Sequence, residues 1–237
     1  MKLHYEKKRS IPALGTFFEI KWHHYSDTLD RNIVDVFDEV RRLEKVFSYH
    51  DSISELSKFN ENGKTQCYEL MALLKISKWL TKETSGVFNP VNPKTNKVDL
   101  GGIAKGFIVD KTAKILESKG ISGIINAGGD IRIFGLYTAP VYIRDPFDFK
   151  NTIYIGEFSQ NSIASSCISK NSKSRGGKSM VYNKSDIIHA SIIGKSCTIC
   201  DAMTKVALTD PEIAVKTLKK VGYHGMVIDK NGNKFVT

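Results

Sequence analysis

The stretch Asp99-Leu-Gly-Gly-Ile-Ala-Lys-Gly-Phe-Ile-Val-Asp110 constrains this chain more than any other. An acidic residue closes an extended segment, two adjacent glycines turn the chain, and a lysine enters a run with helical apolar spacing. Glycine lets a backbone approach a ligand closely and take positive φ without steric cost. The helix that follows presents unpaired N–H groups and a partial positive charge, and Lys105 adds a full one. Such a turn suits a phosphate, although it matches neither Gly-x-x-x-x-Gly-Lys-Ser/Thr nor Gly-x-Gly-x-x-Gly. A plain strand-to-helix turn with a solvated lysine would read the same way. A second glycine pair beside a carboxylate, Asn126-Ala-Gly-Gly-Asp130, follows Ile124 and Ile125. It fits two tight turns facing one cavity, and it also fits two unrelated β-turns.

The formal charge of +10 and the pI of about 9.3 call for an anionic partner, or simply give solubility. Part of the excess lies in Lys170-Asn-Ser-Lys-Ser-Arg-Gly-Gly-Lys178, which reads as a solvated loop. That run lacks the interleaved aromatics of a single-strand binder. With no arginine-clustered reading helix and no zinc module either, no nucleic-acid partner is expected. No apolar stretch is long enough to cross a bilayer, so no membrane span is expected. The charged start Met1–Ser10 has no apolar core behind it, which predicts a cytoplasmic protein. Four cysteines make no disulfide framework. Cys197-Thr-Ile-Cys200 has CxxC spacing without a second pair or a histidine cluster, so two small buried residues flanking a turn are expected there.

Along the chain, Leu14–Trp22 reads as a strand. Ile33, Phe37, Val40, Leu43 and Phe47 recur at helical spacing, and a second helix is predicted from about Tyr68 to Thr84, stopped near Gly86. Ser48–Lys64 between them reads as polar and turn-rich. The central helix runs from Gly106 to Gly120. Strands follow at 131–134, 141–144, 152–158, 163–166 and 187–193, then a short helix from Cys200 to Leu208. Thr209-Asp-Pro-Glu212 is a capping box with proline in the first turn. Asp229-Lys-Asn-Gly232, flanked by apolar residues, signals a closing hairpin. With no repeat and no break in composition, this predicts one domain over residues 1–237. Helices and strands alternate irregularly, so the class is α+β, mixed sheets with flanking helices.

These pieces, in this order, resemble the FAD:protein FMN transferase family, the ApbE-like proteins, whose fold is related to the T-fold. The matching stretches are Leu14-Gly-Thr16, Ser48-Tyr49 with Ser54-Glu-Leu-Ser-Lys-Phe-Asn60, and Ser85-Gly-Val-Phe-Asn-Pro90. Asp99–Gly106 with Asp110, Asn126–Asp130, Ile163-Ala-Ser-Ser166 and Cys200-Asp-Ala-Met-Thr-Lys205 complete the set, which covers nearly the whole chain. The resemblance implies transfer of FMN from FAD to a serine or threonine of an acceptor protein, releasing AMP. It implies Mg2+ as cofactor, since a metal offsets charge developing on the diphosphate and takes hard oxygen ligands. By resemblance the metal ligands are Asp201, the Thr204 hydroxyl and the Gly102 carbonyl. Leu14, Asn60, Val87, Phe88, Asn89, Asp99 and Lys105 fall at flavin-nucleotide positions. Asp201 is the central catalytic carboxylate, and Asp130 and His189 are candidates for the base that takes the acceptor's proton.

The chain also departs from that pattern. Many relatives carry the hydroxyl ligand four residues after the aspartate, where Lys205 stands here; Thr204, three after, lies on the same helical face. A lysine at that place could replace the metal's charge, which leaves a catalytically inactive FAD- or nucleotide-binding relative, or a slow FAD pyrophosphatase, as the alternative function. Asn89 stands where relatives often have aspartate, and Met180 near the place of a common histidine. The connection from Pro93 to Asp99 is shorter than usual.

Overall fold

The computed structural model describes residues 5–24, 29–168 and 185–237. The basic run at 170–178 and Met180 lie outside these residues. Strands β1 (Tyr5–Ala13) and β2 (Thr16–His24) form a hairpin whose two loop residues, Leu14 and Gly15, both take positive φ, at 57° and 69°. Two such residues match the twist of the strands they join. The sequence reading missed β1, because the charges of Glu6-Lys-Lys-Arg9 hide its alternation.

Three helices follow: α1 (Leu29–Val46), α2 (Glu55–Asn62) and α3 (Tyr68–Glu83). The α1 periodicity is met, with Ile33, Phe37, Val40 and Leu43 buried. Helix α2 lies inside the segment read as turn-rich. Ser54 caps it by accepting the Ser57 N–H at 2.9 Å, and Gly63 ends it at a φ of 67°. Leu56 is its single fully buried residue, so no apolar period announces it.

Next come α4 (Ala104–Ser118), β3 (Gly123–Ala127), β4 (Asp130–Phe134), β5 (Thr138–Arg144), β6 (Thr152–Ser159), β7 (Ser162–Cys167) and β8 (Ile187–Gly194). The chain closes with α5 (Cys197–Thr209), α6 (Pro211–Val221), β9 (His224–Asp229) and β10 (Lys234–Val236). Eight strands form one antiparallel sheet in the order β1-β2-β3-β4-β7-β8-β9-β10, and β5–β6 is a separate hairpin. The class is α+β, as expected. One face carries Ile20, Ile125, Ala164, Ala190 and Ile192 into the core beneath the helices. The opposite face carries Ile131, Ile133 and Ile163, which pack with Tyr137, Ala139 and Val141 at the β5–β6 hairpin.

The cap of α6 differs from the expected box. Asp210, in an extended conformation, accepts the Ile213 N–H at 3.0 Å, while Thr209 ends α5 and bonds back to the Lys205 carbonyl. A carboxylate directly before proline reaches the orphan amides, so the threonine one residue earlier is not needed.

Candidate active site

The first turn of α4 and the first turns of α5 meet at one end of the sheet, and each helix caps the other. Ile103 precedes α4 and offers no capping side chain. The cap comes from α5, where Asp201 Oδ2 accepts the Gly106 N–H at 3.1 Å. In return Asp110 of α4 accepts the N–H groups of Cys197 and Thr198 and the hydroxyls of Ser196 and Thr198, all at 2.7–2.9 Å. A carboxylate among orphan amides is favoured twice, by hydrogen bonds and by the helix dipole. The cap from Asp110 also explains why α5 begins at Cys197, three residues before the expected start. Gly106 permits the crossing. A Cβ there would lie 2.4 Å from the Cys197 carbonyl oxygen and 2.9 Å from Asp201 Cβ.

Lys105 joins the two glycine turns. Its ammonium pairs with the Asp130 carboxylate and bonds the Ala127 carbonyl at 3.3 Å. These two residues flank Gly128 and Gly129, whose φ values are 64° and 103°. Gly128 in turn packs on Thr16 beside the β1–β2 loop, close enough that a Cβ would fall 2.6 Å from the Thr16 hydroxyl. The expected convergence of the two turns is therefore present. The lysine that looked like a phosphate ligand or a solvated side chain is first the partner of a buried carboxylate.

Two carboxylates and two ammoniums make up the centre. Asp201 and Asp130 are 0% and 1% exposed, whereas Lys105 and Lys205 each keep 25% of the side chain open. Lys205 pairs with Asp201 Oδ1 and bonds the Asp201 carbonyl at 3.0 Å. Burial first, and then the neighbouring Asp201 charge, push the Asp130 carboxyl up to about 7 against the pull of Lys105 and Lys205. Burial would lower the Lys105 ammonium, but Asp130 and Asp201 outweigh it and hold it above its usual value. Thr204 sits a turn from Asp201, its hydroxyl donating to the Asp201 carbonyl at 2.7 Å and bonded to Ser166 Oγ at 2.8 Å.

These residues do not fit the expected magnesium site. Asp201 has one oxygen on an amide and the other on an ammonium, and the Thr204 proton and one lone pair are taken. Gly102 is buried two residues before α4. A divalent ion at Asp201 would have to displace Lys205.

His189 is not brought to this centre. The register pairs Ser166 with Ala190 and Cys167 with His189. Ser166 and Ala190 face the helices, so His189 faces the other side of the sheet, opposite Asp201. There its Nε2 contacts Ser191 Oγ, which contacts Ser165 Oγ, both at 2.8 Å. Its Nδ1 has no hydrogen-bond partner among the described residues, and burial pulls the imidazole down to about 4. The role of substitute base is withdrawn on this geometry.

The remaining expected contacts shape the backbone around the site. Asn60 clamps Val98 in both directions, donating to its carbonyl at 2.9 Å and accepting its N–H at 2.7 Å. Asp99 then accepts the Gly101 N–H at 2.9 Å, which fixes the turn into α4. Leu14 donates its N–H to Glu44 of α1 at 2.6 Å. Val87 is half-buried, Phe88 is buried in the core, and the exposed Asn89 accepts the Val91 N–H at 2.9 Å. A shallow groove of about 810 Å³ between α2 and α3, lined by residues such as Lys58, Phe59 and Met71, shares no residue with this centre. Cys197 and Cys200 are buried free thiols, as expected, but they lie within α5 rather than beside a turn, and burial pushes both well above their usual range. The sequence reading missed the roles of Asp110, Gly106 and Ser166. Only the Asp201–Lys205 pair carried a local signal, its i,i+4 spacing.

The chain belongs to the ApbE family, whose model matches residues 14–95 and 91–228. Solved structures agree on the fold. The flavin transferase ApbE from Vibrio cholerae superposes with a TM-score of 0.81 at 17% identity, covering 99% of this chain and 98% of that one. The apbe protein of Thermotoga maritima gives 0.77 at 20% identity, covering 98% and 96%. The apo form of Pseudomonas stutzeri flavinyl transferase ApbE gives 0.81 at 15% identity, covering 100% and 96%. No curated protein matches the chain.

Proposed function

We propose that this protein is a flavin transferase, moving FMN from FAD onto a serine or threonine hydroxyl of an acceptor protein and releasing AMP. The observation that carries the reading is the α4–α5 junction, where a glycine turn, a helix N-terminus, Lys105 and Lys205 converge around Asp201 in an ApbE-family chain. Support also comes from the flavin transferases among the structures that share the fold. We take residues 1–237 as one domain, supported by a sheet whose strands run from Tyr5 to Val236. Four free thiols support a reducing, cytoplasmic setting.

In the transfer, the acceptor oxygen bonds to the phosphorus of the FMN half. The bond from that phosphorus to the bridging oxygen breaks, and AMP leaves with the electron pair. Both ammoniums reach solvent while both carboxylates do not, so a diphosphate meets positive charge first. Charge that builds on the bridging oxygen is stabilised by such preorganised donors. We assign Asp130 as the proton acceptor, its carboxyl raised to about 7 and paired with Lys105, the solvent-reaching ammonium through which the acceptor hydroxyl's proton passes to it. Magnesium enters no step here, because Lys205 already holds the Asp201 oxygen expected to bind it.

The test is chromatography of FAD incubated with the protein, with and without the proteins of a cell extract as acceptors. Loss of FAD with matching AMP and protein-bound flavin supports transfer. Intact FAD in both tubes leaves the nucleotide-binding reading that Lys205 favours.

A further inference from the structure

We infer that Lys205 is the resident cation of this site, holding the place beside Asp201 where the family resemblance puts a divalent metal, so that the protein engages a diphosphate with an ammonium instead. The inference rests on the diphosphate reading above and specifies how that site is charged.

The first ground is the state of Asp201. A carboxylate with no exposure needs a compensating charge, since burying one uncompensated is strongly unfavourable. One amide dipole, from Gly106, supplies part of this, and the full charge on its oxygens comes from Lys205. The second ground is donor count. An ammonium has three N–H donors. Lys205 directs them at Asp201 Oδ1 and at the Asp201 carbonyl, which leaves a third for an outside acceptor on its open side. The third ground is charge balance. Asp130 and Asp201 already face Lys105 and Lys205, two negative groups against two positive ones. A divalent ion added to that set would bring two further positive charges that no carboxylate of the set compensates. The Thr204 hydroxyl, expected to bind such an ion, instead donates to the Asp201 carbonyl and bonds Ser166.

Two readouts decide the matter, neither of them turnover. Protein-bound Mn2+ is measured by loss of the free-ion electron paramagnetic resonance signal, with and without FAD and against a protein-free control. FAD affinity is measured by flavin fluorescence in EDTA and in excess Mn2+. The unmodified protein is expected to bind no Mn2+ of its own and to hold FAD equally in both buffers. Lys205→Thr removes the ammonium and restores a hydroxyl four residues after Asp201. It should lose about tenfold or more in FAD affinity in EDTA, gain Mn2+ binding, and regain FAD affinity when Mn2+ is present. Lys205→Arg, which keeps the charge, should bind FAD independently of EDTA and secures the test if the threonine variant does not fold. One Mn2+ bound per unmodified protein, or FAD released by EDTA, overturns the inference. Absence of Mn2+ from both the unmodified and threonine proteins also counts against it. If no FAD binds under any condition, the flavin reading fails, and the Mn2+ titrations still decide what Lys205 replaces.

Discussion

Lys105 and Asp130 are coupled by burial: the carboxylate is 1% exposed and the ammonium is the partner that lets it stay there. Lys105→Met strands the carboxylate and should destabilise the protein by about 3 kcal/mol in urea unfolding. Adding Asp130→Asn should return much of that loss, whereas purely additive effects would contradict the pairing. His189 gives a second test at this scale. Its folded value of about 4 lies below the ordinary value near 6.5, so the unfolded chain binds the extra proton between those limits. The histidine therefore withdraws stability as pH falls from 6.5 toward 4, by at most about 3 kcal/mol. Asp130, raised in the fold, works in the opposite direction, so the useful quantity is a difference between two proteins. The unfolding free energy of the unmodified protein relative to His189→Gln should drop over that window. A flat difference would mean that the imidazole is not held neutral.

Helices α4 and α5 depend on each other, because each supplies the carboxylate that caps its neighbour's first turn. Asp110→Ala should cost about 1–2 kcal/mol and open the start of α5 selectively. Hydrogen exchange is the check: the Cys197 and Thr198 amides should exchange far faster, while those of α6 stay protected. Uniform loosening would show that Asp110 has no local role. Gly106→Ala pushes a methyl toward the Cys197 carbonyl and should destabilise by about 1–3 kcal/mol through overpacking. Elements of this kind were partly legible. The α1 stripe and the alternation of strands such as β2, β6 and β8 carry their own period and are legible, whereas β1 and β3 are not. Helix α2 and the first turn of α5 depend on caps and contacts, and a cap lent by Asp110 from 87 residues earlier leaves no mark near Cys197.

At the scale of the whole molecule, one eight-stranded sheet brings the Leu14 loop, the Gly128–Gly129 turn and the start of α4 to the same end. The residue types of the centre were legible because glycine pairs beside carboxylates are unusual enough to stand out. Their pairing was not. Which ammonium meets which carboxylate, and which face of β8 holds His189, follow from register and helix crossing rather than from any local pattern. On the proposed reading, this arrangement moves FMN to a protein hydroxyl. The most direct measurement is mass spectrometry of acceptor proteins after incubation with FAD, run in parallel with the unmodified chain and Asp201→Asn. The expected result is serine or threonine residues carrying an FMN phosphoester, with equal AMP released, and loss of both in Asp201→Asn. Acceptors without added mass beside intact FAD, or equal modification by Asp201→Asn, would contradict it.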